Sequence, residues 1–330
     1  MNMKPERILL LYDRDEEYAH LMAEYLLGCK GLPWKIAACT SAGDLLGIVN
    51  GRSPEVLVTS GACYDKCLEK IGAKHTVVLN DGTSGVRGNT EKYQAAEDTL
   101  RVILNICADD DVSDPAFMSP SKDRAKLIGV FSPVRRCYQT TFSVLMGRLL
   151  LDRGKVLYLS FEFCEGCEEL IPAGECRGLS DLMYFIKSPV NVFLLRFKSM
   201  VRSIAGLDYI PCALSGTDIS EIPETEWKLF LSRVCDYGEY AYVILDLSES
   251  IRGIFEVLRM CDRIYTLTRK DRVAKRKVES YENVLSMYNY EDIRQKSIKC
   301  DPPSVNRVPS FSGDMNGEFV DFIVKQLGEI

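Results

Sequence analysis

Short apolar runs alternate with segments of helical periodicity along the first third of the chain. A continuous apolar run is typical of a buried strand, and apolar residues at every third or fourth position are typical of a helix. Strands that alternate with helices favour a parallel sheet, because parallel strands need crossover connections. The pattern predicts strands at Ile8–Leu11, Trp34–Cys39, Glu55–Thr59 and Thr76–Leu79, and helices at Asp15–Leu27, Ser41–Val49 and Glu91–Ile106.

The same alternation starts again at residue 126, after an acidic segment that contains Pro and Ser and is typical of a linker. We therefore expect two α/β domains, at 1–108 and 126–330, joined by a linker at 109–125. In the second domain the pattern predicts strands at Lys126–Phe131, Lys155–Phe161, Ala241–Leu245 and Asp262–Leu267, and helices at Thr140–Asp152, Leu179–Ile186, Trp227–Cys235, Asp271–Tyr288 and Gly317–Leu327.

The composition narrows the possible function classes. The chain has 330 residues, of which 46% are hydrophobic and 27% charged, and this composition excludes disorder as the overall state. The net charge of −6 argues against a generally basic nucleic-acid-binding protein. The sequence contains no apolar run long enough to span a membrane, and its first apolar run is too short for a signal peptide, so we expect a cytoplasmic protein.

The cysteines and histidines offer little catalytic chemistry. Thirteen cysteines in a cytoplasmic chain are expected to be reduced thiols, many of them buried. Cys164 and Cys167 have CxxC spacing, with Cys176 further on, but a zinc site needs four ligands. The two histidines, His20 and His75, lie far upstream. The spacing supports a metal site weakly and a redox role only slightly more, and it argues against histidine-based acid–base catalysis.

The segment after the predicted strand at 126–131 carries the main chemical signal. It reads Val-Arg-Arg-Cys-Tyr-Gln-Thr-Thr over residues 134–141, and a helix, a Gly-Lys pair and a further strand follow it. Strand, loop, Thr-Thr and helix is the layout of a phosphate-binding loop. The segment resembles that of the ParA/MinD family of P-loop ATPases, in which Lys-Gly-Gly-x-Gly-Lys-Thr-Thr stands at this place.

The resemblance implies that the groups that bind phosphate are largely lost. The family's glycines let backbone N–H groups face the phosphates, and Arg135, Arg136 and Tyr138 occupy their positions. The family's two lysines are replaced by Val134 and by Gln139, which carries no charge. Since positioning and charge stabilisation supply nearly all the catalysis in such enzymes, we expect a pseudo-ATPase with no useful turnover.

Other positions of the family's site are partly retained. Thr140 and Asp246 match the residues that hold Mg²⁺ in the family, and Thr141 follows as in the family. Ser160 and Glu162 match an acidic motif after the next strand, with serine at the position of the aspartate that organises the attacking water. Structural readings stay open beside this one: Thr140 as the cap or start of the helix, and Asp246 as a carboxylate bonded to backbone.

A second interpretation of the loop is that it still binds an anion. Arg135 and Arg136 lie near a predicted helix N-terminus, where their side chains could bind an anion. We therefore expect no cofactor, with ATP and Mg²⁺ as the alternative.

The first domain resembles a response-regulator receiver. The strand that starts at Ile8 lines up with the family's strand that ends in paired acids, but Tyr12 takes the place of the first acid and only Asp13 remains. Ser60 stands at the position of the phosphorylated aspartate, and Lys92 matches the family's lysine. A receiver needs the aspartate as its nucleophile and the acid pair for Mg²⁺, so we do not expect phosphorylation by this route.

A receiver-like domain ahead of a ParA/MinD-like domain resembles the TadZ/CpaE family over nearly the whole chain. The resemblance implies two three-layer α/β domains, a flavodoxin-like parallel sheet followed by a P-loop NTPase sheet. It also implies a non-catalytic localisation or assembly factor for a Tad (Flp) pilus or secretion system. The expected partners are a second copy or a ParA/MinD-like paralogue, and pilus-assembly proteins, at a cell pole or peripheral to the inner face of the membrane.

Two alternatives remain open from the sequence. One is a weak ATP- and Mg²⁺-binding switch of the ParA/MinD type. The other is a nucleoid- or membrane-surface binder that uses the basic run Arg269–Lys277. For this run we favour a solvated helix face, and for the apolar final helix a docked terminal helix rather than one that lies on a membrane. We therefore do not expect nucleic acid as a partner, and we expect membrane contact to be peripheral at most.

Overall fold

A computed structural model describes residues 7–29, 32–49, 53–65, 68, 71–82, 88–108, 123–162, 178–211, 216–304 and 315–328. The chain divides into two compact units. The first contains the described residues up to 108 together with Pro189–Ser199, and the second contains the described residues from 123 to Ser188 and from Met200 onward. The acidic run at 109–122, and with it most of the predicted linker, lies outside the described residues.

The first unit is built on a five-stranded parallel sheet of order β2-β1-β3-β4-β5. This is the strand order of doubly wound folds of the flavodoxin-like type. Every residue of β3 is buried, as expected for a strand in the middle of a covered sheet. The strands are β1 (Ile8–Tyr12), β2 (Lys35–Cys39), β3 (Val56–Ser60), β4 (His75–Asn80) and β5 (Thr90–Glu91).

The helices of the first unit are α1 (Glu16–Gly28), α2 (Ala42–Val49) and α3 (Ala96–Cys107). Asp15 caps α1 by accepting the N–H of Tyr18 at 3.1 Å. The predicted helix Glu91–Ile106 is wrong at its start, because Glu91 pairs with Asn80 in the sheet and α3 begins at Ala96.

A helix from later in the sequence completes the first unit. Helix α6 (Val190–Met200) was not predicted, and all of it except Met200 belongs to the first unit. Arg196 on this helix donates to Asn105 Oδ1 on α3 at 3.5 Å. The first unit is therefore discontinuous in sequence.

The second unit has a seven-stranded sheet of order β12-β11-β6-β10-β7-β9-β8. Its strands are parallel except for the antiparallel pair β8–β9. The central strands β10 and β7 are buried along their whole length, and β6 is buried beyond its first residue. The strands are β6 (Lys126–Phe131), β7 (Val156–Ser160), β8 (Arg202–Ile204), β9 (Leu207–Tyr209), β10 (Tyr242–Leu247), β11 (Arg263–Leu267) and β12 (Ser297–Cys300).

The helices of the second unit cover this sheet. They are α4 (Gln139–Leu150), α5 (Leu179–Met183), α7 (Gly216–Glu221), α8 (Glu224–Tyr237), α9 (Ile254–Met260), α10 (Arg272–Met287), α11 (Glu291–Lys296) and α12 (Glu318–Leu327). Helix α12 docks on α4, with the Phe322 and Phe142 rings 6.3 Å apart. Phe319 and Ile323 are buried, which confirms the docked terminal helix.

Candidate functional site

The loop of residues 132–138 connects β6 to α4 at the carboxyl end of the central parallel strands. Strand β6 lies between β11 and β10, so the loop opens at the edge of the sheet where ligands of doubly wound folds bind. The predicted order of strand, loop, helix and strand is confirmed here. Helix α4 begins at Gln139, and Tyr138 is its N-cap without a capping side chain, so Thr140 is not the cap.

The backbone of this loop adopts a conformation that favours glycine at three positions. Arg135, Arg136 and Tyr138 have φ values of 66°, 52° and 59°. These are the three residues that occupy the glycine positions of the motif. A left-handed conformation costs a residue with a side chain about 1–2 kcal/mol. The loop thus combines the conformation of a glycine-rich loop with side chains that glycine would lack.

Ser132 uses two backbone donors of the loop. Its hydroxyl oxygen accepts the N–H groups of Val134 at 3.2 Å and Arg135 at 3.1 Å. The same hydroxyl donates to the carbonyl of Leu267 at 2.8 Å and so links the loop to β11. In phosphate-binding loops, backbone N–H groups point at the ligand. Here two of them are satisfied within the protein.

Gln139 occupies the lysine position and contacts the buried carboxylate of β10. Its Nε2 donates to Asp246 Oδ1 at 2.6 Å and to the carbonyl of Leu247 at 2.8 Å. Tyr158 on β7 donates to Asp246 Oδ2 at 3.0 Å, and the Thr140 side chain is also hydrogen-bonded to Asp246. Burial raises the pKa of Asp246, and the hydrogen bonds from these partners lower it without outweighing burial.

Ser160 and Glu162 lie beside this carboxylate at the end of β7. Ser160 pairs with Asp246 in the sheet register and is buried, and its hydroxyl accepts the N–H of Glu162 at 3.4 Å. The pKa of Glu162 is raised to about 7, mainly by burial and also by the charge of Asp246, while Arg135 acts in the opposite direction. Two carboxyl groups with raised pKa values therefore share this end of the sheet.

The raised pKa of Glu162 has a consequence for stability. Its pKa rises from 4.5 to about 7 in the folded chain, so the folded state binds the proton more tightly than the unfolded state. The resulting stabilisation is complete below pH 4.5 and is lost as the pH rises to 7. We expect the free energy of unfolding in urea to fall over this range, and Glu162→Gln to remove that part of the slope. Equal pH slopes for both proteins contradict this assignment.

Several groups of this loop that would contact a nucleotide in a P-loop are hydrogen-bonded within the protein. The lysine position carries a neutral amide that is already bonded to Asp246, and Ser132 takes two N–H groups of the loop. Thr141 is buried within the start of α4. Thr140 is adjacent to Asp246, and its hydroxyl donates a hydrogen bond to that carboxylate.

The first unit brings its predicted residues together at the carboxyl end of its own sheet. Lys92 Nζ lies 3.0 Å from Asp13 Oδ1 and 3.3 Å from Asp15 Oδ2, and Lys92 and Asp13 are both buried. The rings of Tyr18 and Tyr93 lie 4.8 and 5.1 Å from the ammonium. Burial lowers the pKa of Lys92, but hydrogen bonds and charges of the two carboxylates outweigh burial and raise it to about 12.

Ser60 is the last residue of β3, next to β1, and it is buried. Thr59 pairs with Tyr12 in the register, so Ser60 and Asp13 follow paired positions at the ends of adjacent strands. At the same end of the sheet, the ammonium of Lys92 provides the positive charge beside Asp13 and Asp15.

The basic run at 269–277 and the cysteines with CxxC spacing were the other candidates of the sequence analysis. The run Arg269–Lys277 begins α10, where Asp271 is the N-cap and the Arg276 side chain is 85% exposed, so a largely solvated helix face is confirmed. Cys164, Cys167 and Cys176 lie outside the described residues. Within the described ranges, no group of three or more metal-ligating side chains is arranged to hold a metal.

Sequence reasoning missed two residues that complete the site. Tyr158 lies within an apolar strand, and nothing in its sequence context indicates that its hydroxyl reaches Asp246. Ser132 was detectable in principle, because a serine directly after a strand often bonds the backbone of the following turn.

Among the helices that the structure describes, none combines the length and apolar character that a membrane span needs.

Among known proteins, the chain matches solved structures. No family model matches the chain, and no curated protein matches it. A plasmid partition protein from Borrelia burgdorferi B31, bound to AMPPNP, is 14% identical with a TM-score of 0.47, over 63% of this chain and 100% of that one. A ParA family ATPase from Chlorobium tepidum TLS is 17% identical with a TM-score of 0.46, over 55% and 75%. Apo McdA from Cyanthece is 14% identical with a TM-score of 0.43, over 62% and 81%.

Proposed function

We propose that this chain is a non-catalytic pseudo-ATPase that acts through protein–protein recognition. The observation that carries the proposal is the Gln139 side chain, which lies on Asp246 where a P-loop enzyme has a lysine. Phosphoryl transfer depends on positive charge placed at the phosphates, and the amide supplies none. The loop thus retains its conformation and serves as part of a rigid recognition surface.

The finer proposal is a localisation or assembly factor for a Tad (Flp) type pilus or secretion system. It rests on the resemblance of the chain to the TadZ/CpaE family. Two features support it: the strand order of the first unit, which is flavodoxin-like, and the lysine and aspartate at the carboxyl end of that sheet. With Ser60 in place of an acid, this unit binds partners in a single state rather than switching by phosphorylation.

Calorimetric titration with ATP and Mg²⁺, together with a phosphate-release assay, tests the first part. For the natural chain we expect no phosphate release above the blank, and no ATP binding that Thr140→Ala weakens. A matched variant, Gln139→Lys, restores the charge and is expected to bind ATP more tightly than the natural chain. Turnover at rates near 1 s⁻¹ or above by the natural chain, the range of ordinary enzymes, contradicts the pseudo-ATPase.

Co-purification tests the second part independently of nucleotide. The chain is co-expressed with a Tad-type secretion ATPase and Tad pilus-assembly proteins, and stable complexes are separated by size exclusion with light scattering. We expect a complex with at least one of them, or a dimer that recruits one. A gene neighbourhood without pilin and secretion genes, or a chain that binds none of these proteins, contradicts the pilus assignment and leaves the pseudo-ATPase result standing.

A further inference from the structure

A cavity of about 350 Å³ lies between the outer side of the loop and the start of α10. Residues 134–136 form one wall, and residues from Arg269 to Lys277 form the other. Four cationic side chains line it: Arg135, Arg136, Arg269 and Lys277. This concentration of positive charge stands out in a chain whose net charge is −6.

The single carboxylate in the cavity wall does not balance this charge. Asp271 accepts the N–H of Ala274 at 2.9 Å as the cap of α10, and it lies 3.8 Å from Arg269. Arg135 is paired with Glu249. Within the part of the chain that the structure describes, Arg136 has no ion-pair partner. Lys277 also has no ion-pair partner among the described residues, since its ammonium donates to a neutral carbonyl. At least two cations of the cavity are therefore available to an anion.

The two walls are held together before any ligand binds. Lys277 Nζ donates to the carbonyl of Val134 at 3.3 Å, so α10 is joined to the loop. The left-handed backbone at Arg135 and Arg136 fixes the direction in which their side chains leave the loop. A cavity with a preset shape binds a ligand with a smaller loss of conformational freedom.

We propose that this cavity binds a small phosphate-bearing molecule with at least two negative charges. Planar guanidinium groups match phosphate oxygens in pairs, which makes arginine the preferred partner of phosphate. The volume lies at the lower end of the range of small-molecule sites, about 300–1,000 Å³. Val273 and Ala274 add an apolar part to the wall, so a phosphate attached to a compact organic group fits better than a bare ion.

The cavity is separate from the interior of the loop. The inner side of the loop is closed by the bonds of Ser132 and by the contact of Gln139 with Asp246, and none of these three residues lines the cavity. The proposal therefore does not depend on the proposed function, and the failure of either leaves the other intact.

Titration calorimetry of the full chain with pyrophosphate tests the site. We expect binding that weakens with salt, and a Kd that rises about tenfold or more in Lys277→Ala and in Arg136→Gly, since each removes a charged donor. Glycine at position 136 also suits the left-handed backbone, so misfolding does not explain a loss there. Arg276→Ala is the matched control, because Arg276 is on the same helix, pairs with Glu279 and does not line the cavity.

Three outcomes overturn the proposal. The first is no binding of pyrophosphate by the natural chain. The second is a loss of pyrophosphate affinity in Arg276→Ala that equals the loss in Lys277→Ala. The third is a loss of pyrophosphate affinity in Thr140→Ala with unchanged affinity in Lys277→Ala. That result assigns the anion to the interior of the loop. A parallel sedimentation with phosphatidylcholine vesicles, with and without phosphatidylglycerol, separates the sources of phosphate. Binding to the anionic vesicles without binding of pyrophosphate assigns the cavity to a lipid headgroup and overturns the small-molecule ligand.

Discussion

Replacement of Lys92 by methionine is expected to lower the free energy of unfolding of the first unit by about 3–5 kcal/mol. The ammonium is buried and contacts Asp13 at 3.0 Å and Asp15 at 3.3 Å. Methionine fills similar space but leaves the buried Asp13 carboxylate without a counter-charge. The Oδ2 atom of Asp13 is buried and has no hydrogen-bond partner in the described structure, so the loss of Lys92 is not offset locally.

Urea denaturation followed by tryptophan fluorescence measures this effect. The chain has two tryptophans, Trp34 in the first unit and Trp227 in the second, so a Trp227→Phe background reports the first unit alone. The matched control is the double variant Lys92→Met with Asp13→Asn, which removes both charges and is expected to recover most of the stability. A loss below about 1 kcal/mol in the single variant, the value of an exposed pair, refutes the role of Lys92 as the counter-charge of a buried carboxylate.

Replacement of Asp246 by alanine is expected to lower the free energy of unfolding of the second unit by about 3 kcal/mol. Asp246 is fully buried and accepts hydrogen bonds from Gln139 at 2.6 Å and Tyr158 at 3.0 Å. Alanine leaves the Tyr158 hydroxyl without this acceptor, removes one of the two acceptors of Gln139 Nε2, and creates a cavity.

Asp246→Asn is the matched control for this effect. Its oxygen accepts from Gln139, and its amide donates to the Tyr158 hydroxyl, so the hydrogen bonds of the site remain possible. We expect a change of about 1 kcal/mol or less for this variant, measured by urea denaturation with Trp227 fluorescence in a Trp34→Phe background. Equal destabilisation by asparagine and alanine shows that the charge, rather than the hydrogen bonds, stabilises the fold.

The central elements of both sheets were predictable because their residues are buried on both faces. The strand Lys126–Phe131 is confirmed at its predicted bounds, and the strand predicted at Ala241–Leu245 is observed at Tyr242–Leu247. Such strands are continuous apolar runs, and their signal is local. The peripheral hairpin Arg202–Tyr209 was missed, because each of its strands has only three residues and too few apolar positions to show a period.

The site was predictable in its residues but only partly in its contacts. The alignment on Thr140 and Thr141 located the loop, and the positive φ values at Arg135, Arg136 and Tyr138 agree with their assignment to glycine positions. Which hydrogen bonds replace the missing lysine was not predictable. Tyr158 reaches Asp246 only because β7 and β10 are adjacent in the sheet, and this pairing joins residues that are 88 positions apart.

The sequence by itself determined the alternation of strands and helices, the position of the loop at 132–138 and the residue types that the loop carries. These properties depend on residue type and short-range spacing, which a single sequence displays directly. The tertiary structure alone decided that Gln139 bonds Asp246, that Lys92 neutralises Asp13, and that Arg136 and Lys277 line one cavity. Each of these contacts joins segments far apart in the chain. Such contacts form only when sheet order and helix packing place those segments side by side, and a sequence pattern does not encode them locally.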